Sequence, residues 1–283
     1  MLRIADRDLP EATVKVLRQL QAGIDGLADY PAQVEAAGRA WNGKTSSKAK
    51  RAAFTTIRAT LAGMCVGPVR CAYCEDSLAD EVEHIRPKAL FPELVFVWAN
   101  YLFACGPCNG PKSSRHGTMI GDRVEEFVRR RDDPILAPTP GPSALLDPRV
   151  EDPMRFLELD LGGVTRAGQV IDGTFEFLAA DGLGPADSAR ADFSIRVLGL
   201  NREVMRVARG NAFGGFRARL REYVEDKEAG AGAAELARLQ DDLLGTPHLT
   251  VFAEMRRQRG HLPGIDNLLR RAPEAATWPL VPA

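Results

Sequence analysis

Two short cysteine pairs constrain this chain more than anything else in it. Cys71 and Cys74 form one C-x-x-C pair, and Cys105 and Cys108 form the other. Two residues between thiolates let both sulfurs of a tight knuckle point at one ion, and two knuckles complete a tetrahedral four-cysteine zinc site. In a reducing compartment such pairs are more often metal ligands than disulfides. Four thiolates leave no open position for water, so the spacing predicts a structural Zn2+ ion with no chemistry of its own. The fifth cysteine, Cys65, stands apart and reads as a buried thiol.

The chain has 283 residues, 45% apolar and 27% charged, enough apolar material for one large domain or two modest ones. Its 37 Lys and Arg nearly cancel 38 Asp and Glu, for a net charge of -1. That excludes a histone-like protein coated in basic residues. A local basic face remains open, since Lys44 to Arg131 holds fourteen Lys and Arg against nine Asp and Glu. The opening segment, MLRIADRDLP, carries charges of both signs and no apolar core, so no signal peptide is expected. The longest apolar stretch, Leu94 to Cys105, includes Asn100 and is too short to span a bilayer. A cytoplasmic protein touching no membrane is expected.

Residues 1–65 read as a helical lead-in. Val14, Leu17 and Leu20 recur at helical spacing, and Ala52 to Cys65 repeats the signature. Between them, Lys44 to Arg51 is basic and reads as flexible. Residues 66–131 are dense in Cys, Gly, Pro and aromatics, as suits a small metal-stapled unit. A proline-rich linker over 132–150 is expected to separate it from a mostly helical C-terminal region, 151–283. That region opens on Arg155 to Thr165, whose apolar alternation around Gly162-Gly163 predicts a β-hairpin. Helical periodicity returns over 187–226 and 233–244, with a loop between them. The final stretch, with Pro273, Pro279 and Pro282, is expected to trail over the surface. The expected fold class is α+β and mostly helical.

The informative segment runs from Cys71 to Arg115, CAYCEDSLADEVEHIRPKALFPELVFVWANYLFACGPCNGPKSSR. Glu83-His84 lies in a β-prone run, Glu81 to Ile85, followed by Arg86 and Lys88. Asn100 follows the apolar run Val95 to Trp98. Asn109 directly follows the last knuckle cysteine, and Lys112 comes three residues later. In this order the pieces resemble the HNH nuclease family of the zinc-knuckle type. Its pattern is C-x2-C, an acidic residue or His before His-Ile-x-Pro, then N-(L/Y)-x3-C-x2-C-N-x2-K.

The resemblance implies a ββα-metal core, two antiparallel strands and a helix clasping a divalent ion, and with it phosphodiester hydrolysis. By that likeness Glu83 is the acidic ligand of a catalytic Mg2+ or Mn2+, and Asn109 its second protein ligand. His84 is the general base, and Asn100 orients His84 or locks the loop that carries it. The chemistry agrees. An imidazole near its ordinary pKa of about 6.5 is neutral and basic at cellular pH, and a hard ion held by few protein oxygens keeps positions for a phosphate. Three departures stand out. Glu83 occupies a place where many members have Asp or His, and Gly110-Pro111 falls where the ligand-bearing helix should begin. No His fills the usual third position, and His116 is expected to face solvent. Arg86, Lys88, Lys112 and Arg115 read as phosphate contacts on nucleic acid, with Arg129 to Arg131 extending the groove. Phe91, Phe96 and Trp98 read as core.

A narrower likeness follows from the Met1-Leu-Arg-Ile opening, the basic lead-in, C-A-Y-C-E, E-H-I-x-P-K and Ile195-Arg-Val-Leu-Gly-Leu-Asn-Arg202. Together these are similar to the HNH component of bacterial Septu-type and retron-associated anti-phage systems. That resemblance implies cleavage of invading or host nucleic acid, DNA before RNA, by a nuclease working beside an ATPase partner. The rival reading is a non-catalytic zinc-knuckle module that binds nucleic acid or protein, which has no use for a base beside a second metal.

Overall fold

The computed structural model describes residues 1–130 and 132–280; Arg131 of the basic run and Pro282 lie outside them. Among the described residues the chain is a mixed α+β protein, about half helical, with nine α-helices and four two-stranded antiparallel sheets. Three helices come first: α1 (Glu11–Asp25), α2 (Tyr30–Asn42) and α3 (Lys48–Gly63). Leu17, Gln21 and Ile24 turn one face of α1 inward, Val34, Ala37 and Trp41 do so on α2, and Phe54, Ile57 and Leu61 on α3. This is the spacing of amphipathic helices. The segment Lys44 to Arg51, expected to be flexible, is instead a turn leading into α3. The Ser47 hydroxyl accepts from the Lys50 backbone N–H at 3.3 Å, an N-cap that the surrounding charges obscure in the sequence.

Helix α3 packs on a two-stranded sheet of β1 (Glu81–His84) and β2 (Tyr101–Ala104), in which Glu83 stands opposite Leu102 and His84 opposite Tyr101. Helix α4 (Gly106–Lys112) follows β2 at once and lies against β1. It starts inside the second knuckle, ahead of the Gly110-Pro111 start suggested by the motif. Pro111 has no N–H to give the Pro107 carbonyl, and Arg202 donates to that oxygen instead. A proline is thereby tolerated within this short helix.

Strands β3 (Arg115–Ile120) and β4 (Arg123–Val128) form a hairpin. The proline-rich connector docks on it. The Met119 N–H donates to Pro142 O at 2.9 Å and the Ala144 N–H to Gly117 O at 2.8 Å, and Ala144, Leu145 and Leu146 are buried. Gly117 permits that approach, because a Cβ there would lie under 3.0 Å from Val124, Phe193 and Ala144. Arg149 is buried and donates to the carbonyls of Trp98 (2.6 Å) and Tyr101 (2.9 Å) while pairing with Asp6. The connector's last stretch, Ala144 to Arg149, is thus part of the core, while its first residues stay exposed.

The hairpin expected around Gly162-Gly163 turns elsewhere. β5 (Leu157–Leu159) pairs with β8 (Phe177–Ala179), and β6 (Gly162–Val164) pairs with β7 (Val170–Asp172). One interrupted hairpin results, closed by the Thr165 N–H donating to Gln169 O. Gly162 lies within β6 because its backbone, at φ +66°, is crowded: a Cβ would sit 2.3 Å from Ile171 O. Helices α5 (Pro185–Leu198), α6 (Glu203–Glu228), α7 (Ala233–Leu244), α8 (Leu249–Arg257) and α9 (Pro263–Arg271) follow. The helical stretch read over 187–226 is broken by Gly199, in the left-handed conformation that ends α5. As far as the described residues reach, the final stretch does not trail: Trp278 is buried, edge-on to Tyr223 at 4.8 Å, and Arg256 donates to its carbonyl. One core runs through both halves. No described helix is long and apolar enough to cross a membrane.

Arg149→Met strips the donors from two carbonyls. It is expected to destabilise the protein by about 2–4 kcal/mol, read as a lower urea midpoint; an unchanged midpoint would show that this side chain does not fasten the connector to β2.

Candidate functional site

The sulfurs of Cys71, Cys74, Cys105 and Cys108 are buried and all lie within 4.8 Å of one another, with Cys74 and Cys105 at 3.8 Å. Sulfurs about 2.3 Å from a tetrahedral zinc stand about 3.8 Å apart, so the four could hold a metal such as zinc. Backbone hydrogen bonds shape each knuckle. The N–H groups of Cys108 and Asn109 donate to Cys105 O at 3.1 and 2.9 Å, and that of Glu75 donates to Cys71 O at 2.9 Å. Four thiols this close share charge unevenly on their own. Contact with Cys105 holds Cys74 far below the usual thiol range while pushing Cys71 and Cys108 up. A bound cation removes that conflict, which couples metal binding to folding.

Both knuckles are braced by the C-terminal half. At the start of α8 the Thr250 N–H donates to Glu75 Oε2 at 3.0 Å, and His248 Nε2 lies 3.1 Å from Asp76 Oδ1. Arg202, ahead of α6, reaches Cys108 Sγ at 3.4 Å, a donor suited to steadying thiolate charge. The second of these contacts gives His248 a carboxylate partner.

Beside the cysteines, β1, the loop after it, α4 and the turn between α2 and α3 line a cleft of about 600 Å³. Side chains alternate along a strand, so Glu81 and Glu83 share one face of β1, and α4 brings Asn109 and Lys112 to it. Asn109 Nδ2 donates to Glu81 Oε2 at 2.6 Å. Lys112 Nζ lies 2.5 Å from Glu83 Oε1. That contact is an ion pair without hydrogen-bond alignment, and Oε1 has no other donor. Burial pushes the Glu83 carboxyl above its ordinary range, with Lys112 opposing the shift.

His84 is as buried as Glu83. Its ring stands edge-on to Trp41 and Tyr101, with centroids 4.3 and 5.2 Å away. Nε2 lies 3.0 Å from Val95 O, which also accepts from the Tyr101 hydroxyl at 2.6 Å. A neutral ring donates to that carbonyl from Nε2 and keeps Nδ1 as its basic nitrogen. Burial, and then the Lys88 cation, lower the His84 pKa to about 3, so the ring is neutral at physiological pH. Asn100 makes no hydrogen bond to His84. It brackets the loop that follows: Oδ1 accepts from the Arg86 N–H at 2.8 Å, and Nδ2 donates to Arg86 O and Leu94 O at 3.0 and 3.1 Å.

Of the four basic residues read as phosphate contacts, Lys88 alone lines this cleft. Lys112 must be corrected. It is 1% exposed, and its Nζ serves Glu83 and, at 2.7 Å, the His84 carbonyl; one helical turn after Asn109 it is aimed at β1, away from solvent. Arg86 lies over Phe91 at 5.4 Å and lines a different cleft, while Arg115 pairs with Glu126 at 2.9 Å. Arg129 donates to Ala89 O at 2.8 Å. His116 is also corrected: it belongs to β3 and points inward, edge-on to Phe91 at 4.6 Å, and burial lowers its pKa to about 4. Phe91 and Phe96 are buried as expected. Sequence reasoning missed Glu81, Lys44 and Arg58, all of which line the cleft. Strand alternation with Glu83 could have found Glu81; nothing local marks the other two.

Among curated proteins the chain is similar to the Septu protein PtuB of Bacillus thuringiensis, 44% identical over 50 residues. The match spans 16% of this chain and 20% of that protein. No protein-family model matches the chain, and no solved structure does.

Cys105→Ala is expected to yield protein without bound zinc and with a lowered thermal midpoint, since a metal held by these four cysteines would be coupled to folding. Elemental analysis alongside circular dichroism checks this, and a zinc-free variant that melts like its parent would contradict it.

Proposed function

We propose that the chain is a metal-dependent endonuclease of the HNH type that hydrolyses phosphodiester bonds, with DNA as its substrate. The observation that carries this reading is the buried His84 ring, anchored through Nε2 on Val95 O, in one cleft with the Glu81 and Glu83 carboxylates and the Asn109 carboxamide. The order β1, β2, α4, with a cysteine knuckle at the helix start, supports a ββα-metal core.

The residues present suit Mg2+ or Mn2+. All three are hard oxygen donors. Glu83 Oε1 is buried with the Lys112 ammonium beside it at 2.5 Å, a place that already holds a cation, and Asn109, with Nδ2 engaged by Glu81, keeps Oδ1 for a cation. Glu83 and Asn109 would hold the ion, with Glu81 beside them. Once bound it would supply Lewis acidity, drawing charge from the scissile phosphate. The chain's own groups supply the rest. His84 accepts the proton of the attacking water at Nδ1. Val95 O fixes the ring's orientation, and Trp41 and Tyr101 bracket it. Asn100 stiffens the loop after His84, and Lys88 offers a cation to the strand.

The similarity to a Septu protein supports a place in anti-phage defence, with the nuclease governed by an ATPase partner. The second reading, a zinc-knuckle module that binds without cleaving, draws on the Glu83–Lys112 pair, which engages one proposed ligand already.

One experiment separates the two. The purified chain is expected to nick supercoiled plasmid in Mg2+ or Mn2+, and His84→Ala to slow nicking by at least about 10²-fold with zinc content and fold unchanged. Equal cleavage by the variant would unseat His84 as the base, and a parent that binds plasmid but never nicks it would favour the binding module.

A further inference from the structure

We propose that Lys44, Arg58 and Lys88 form a phosphate clamp on the helical wall of the cleft, gripping the backbone of a nucleic-acid strand beside the scissile bond. The proposal rests on the hydrolytic reading of the same cleft and makes the N-terminal helical lead-in a substrate-binding element.

The three cations come from separate parts of the chain. Lys44 sits in the turn after α2, Arg58 on α3 and Lys88 in the loop after β1, yet all line the same cleft. Lys44 Nζ lies 4.5 Å and Lys88 Nζ 6.0 Å from the centroid of the Trp41 ring, the ring that His84 meets edge-on. Two ammonium groups and the proposed base thus gather around one indole.

These charges lack internal partners. Among the described residues none of the three has a carboxylate oxygen within 4.0 Å. Lys44 donates only to Trp41 O at 3.3 Å, and Arg58 to Asp80 O at 2.6 Å. Elsewhere the chain places acids beside its arginines, as where Arg238 lies between Glu235 and Asp242 at 2.6 Å from each. In the cleft the acids Asp80, Glu81 and Glu83 are present, but none comes within 4.0 Å of these three cations. Burial, followed by repulsion from Lys88 and Arg58, lowers the Lys44 pKa, and burial lowers that of Lys88. Half-buried Lys44 and Lys88 and exposed Arg58, gathered with no carboxylate in ion-pair reach, attract an anion. The cleft is far larger than one phosphate, and the rings of Trp41 and Phe54 line it as well, so a strand with several phosphates and apolar sugar faces fits better than a free anion.

The test uses the full chain carrying His84→Ala, so that the strand stays intact. Binding of a labelled DNA oligonucleotide, single-stranded and duplex, is followed by anisotropy across a salt series without added divalent ion. Lys44→Gln and Arg58→Gln are each expected to raise Kd roughly fivefold, the effect of one ion contact near water. Each should also flatten the slope of log K against log salt by about 0.7–0.9, and Lys44→Arg should restore both values. Lys15→Gln, exposed on α1 and outside the cleft, should change neither. Unchanged Kd and slope in both cleft variants would overturn the clamp, and so would weaker binding at the parent slope, which marks a purely structural effect. A parent that binds neither oligonucleotide also overturns it. If the clamp variants lose binding while chain with His84 intact cleaves no plasmid, the clamp stands and the hydrolytic reading falls.

Discussion

Two cysteine knuckles have to meet at one point, and most of the architecture follows from that. One knuckle precedes β1 and the other follows β2, so joining them sets the strands antiparallel and places α4, which begins inside the second knuckle, against β1. The side chains on the facing surfaces are then brought together by geometry: Glu81 with Asn109, Glu83 with Lys112. The C-terminal half reinforces the same point through Arg202 and Thr250. A chain whose two knuckles came apart would lose the alignment of its cleft along with them.

The cleft is built from groups that water would otherwise stabilise. An ion pair as buried as Glu83–Lys112 gains little net stability, yet removing one partner leaves a charge whose burial costs about 3–5 kcal/mol. The pair therefore fixes where Glu83 points more than it strengthens the fold. It also couples the site to any arriving ion, because a cation at Glu83 competes with Lys112 for the same oxygen. His84 obeys the same logic from the other side: burial keeps its ring neutral, and by lowering its pKa to about 3, below the ordinary value near 6.5, it also makes Nδ1 a weaker base.

What the sequence disclosed, it disclosed through local patterns. The C-x-x-C spacing marked the four-cysteine cluster, strand-like residues marked β1 around Glu83 and His84, and periodic apolar residues marked α1, α3 and α7. What it hid depends on contacts between distant segments. Gly162 looked like a turn, but serves a close crossing with Ile171. Lys112 looked like a surface cation because the start of α4 is set by the knuckle, which local propensity does not reveal. The proline-rich connector looked like a linker until Arg149 and Ala144 were seen to enter the core. Lys44 and Arg58 reach the cleft only because α2 and α3 are folded over β2.

The account depends most on a hard cation settling next to His84. With histidine side chains isotopically labelled, Mn2+ titrated into the protein and followed by NMR reports which of its four imidazoles lies near the ion. Paramagnetic broadening should strike His84 first, sparing His248 and His261, and should vanish in Glu83→Gln. Broadening that misses His84, or that persists undiminished without the Glu83 carboxylate, would contradict the account.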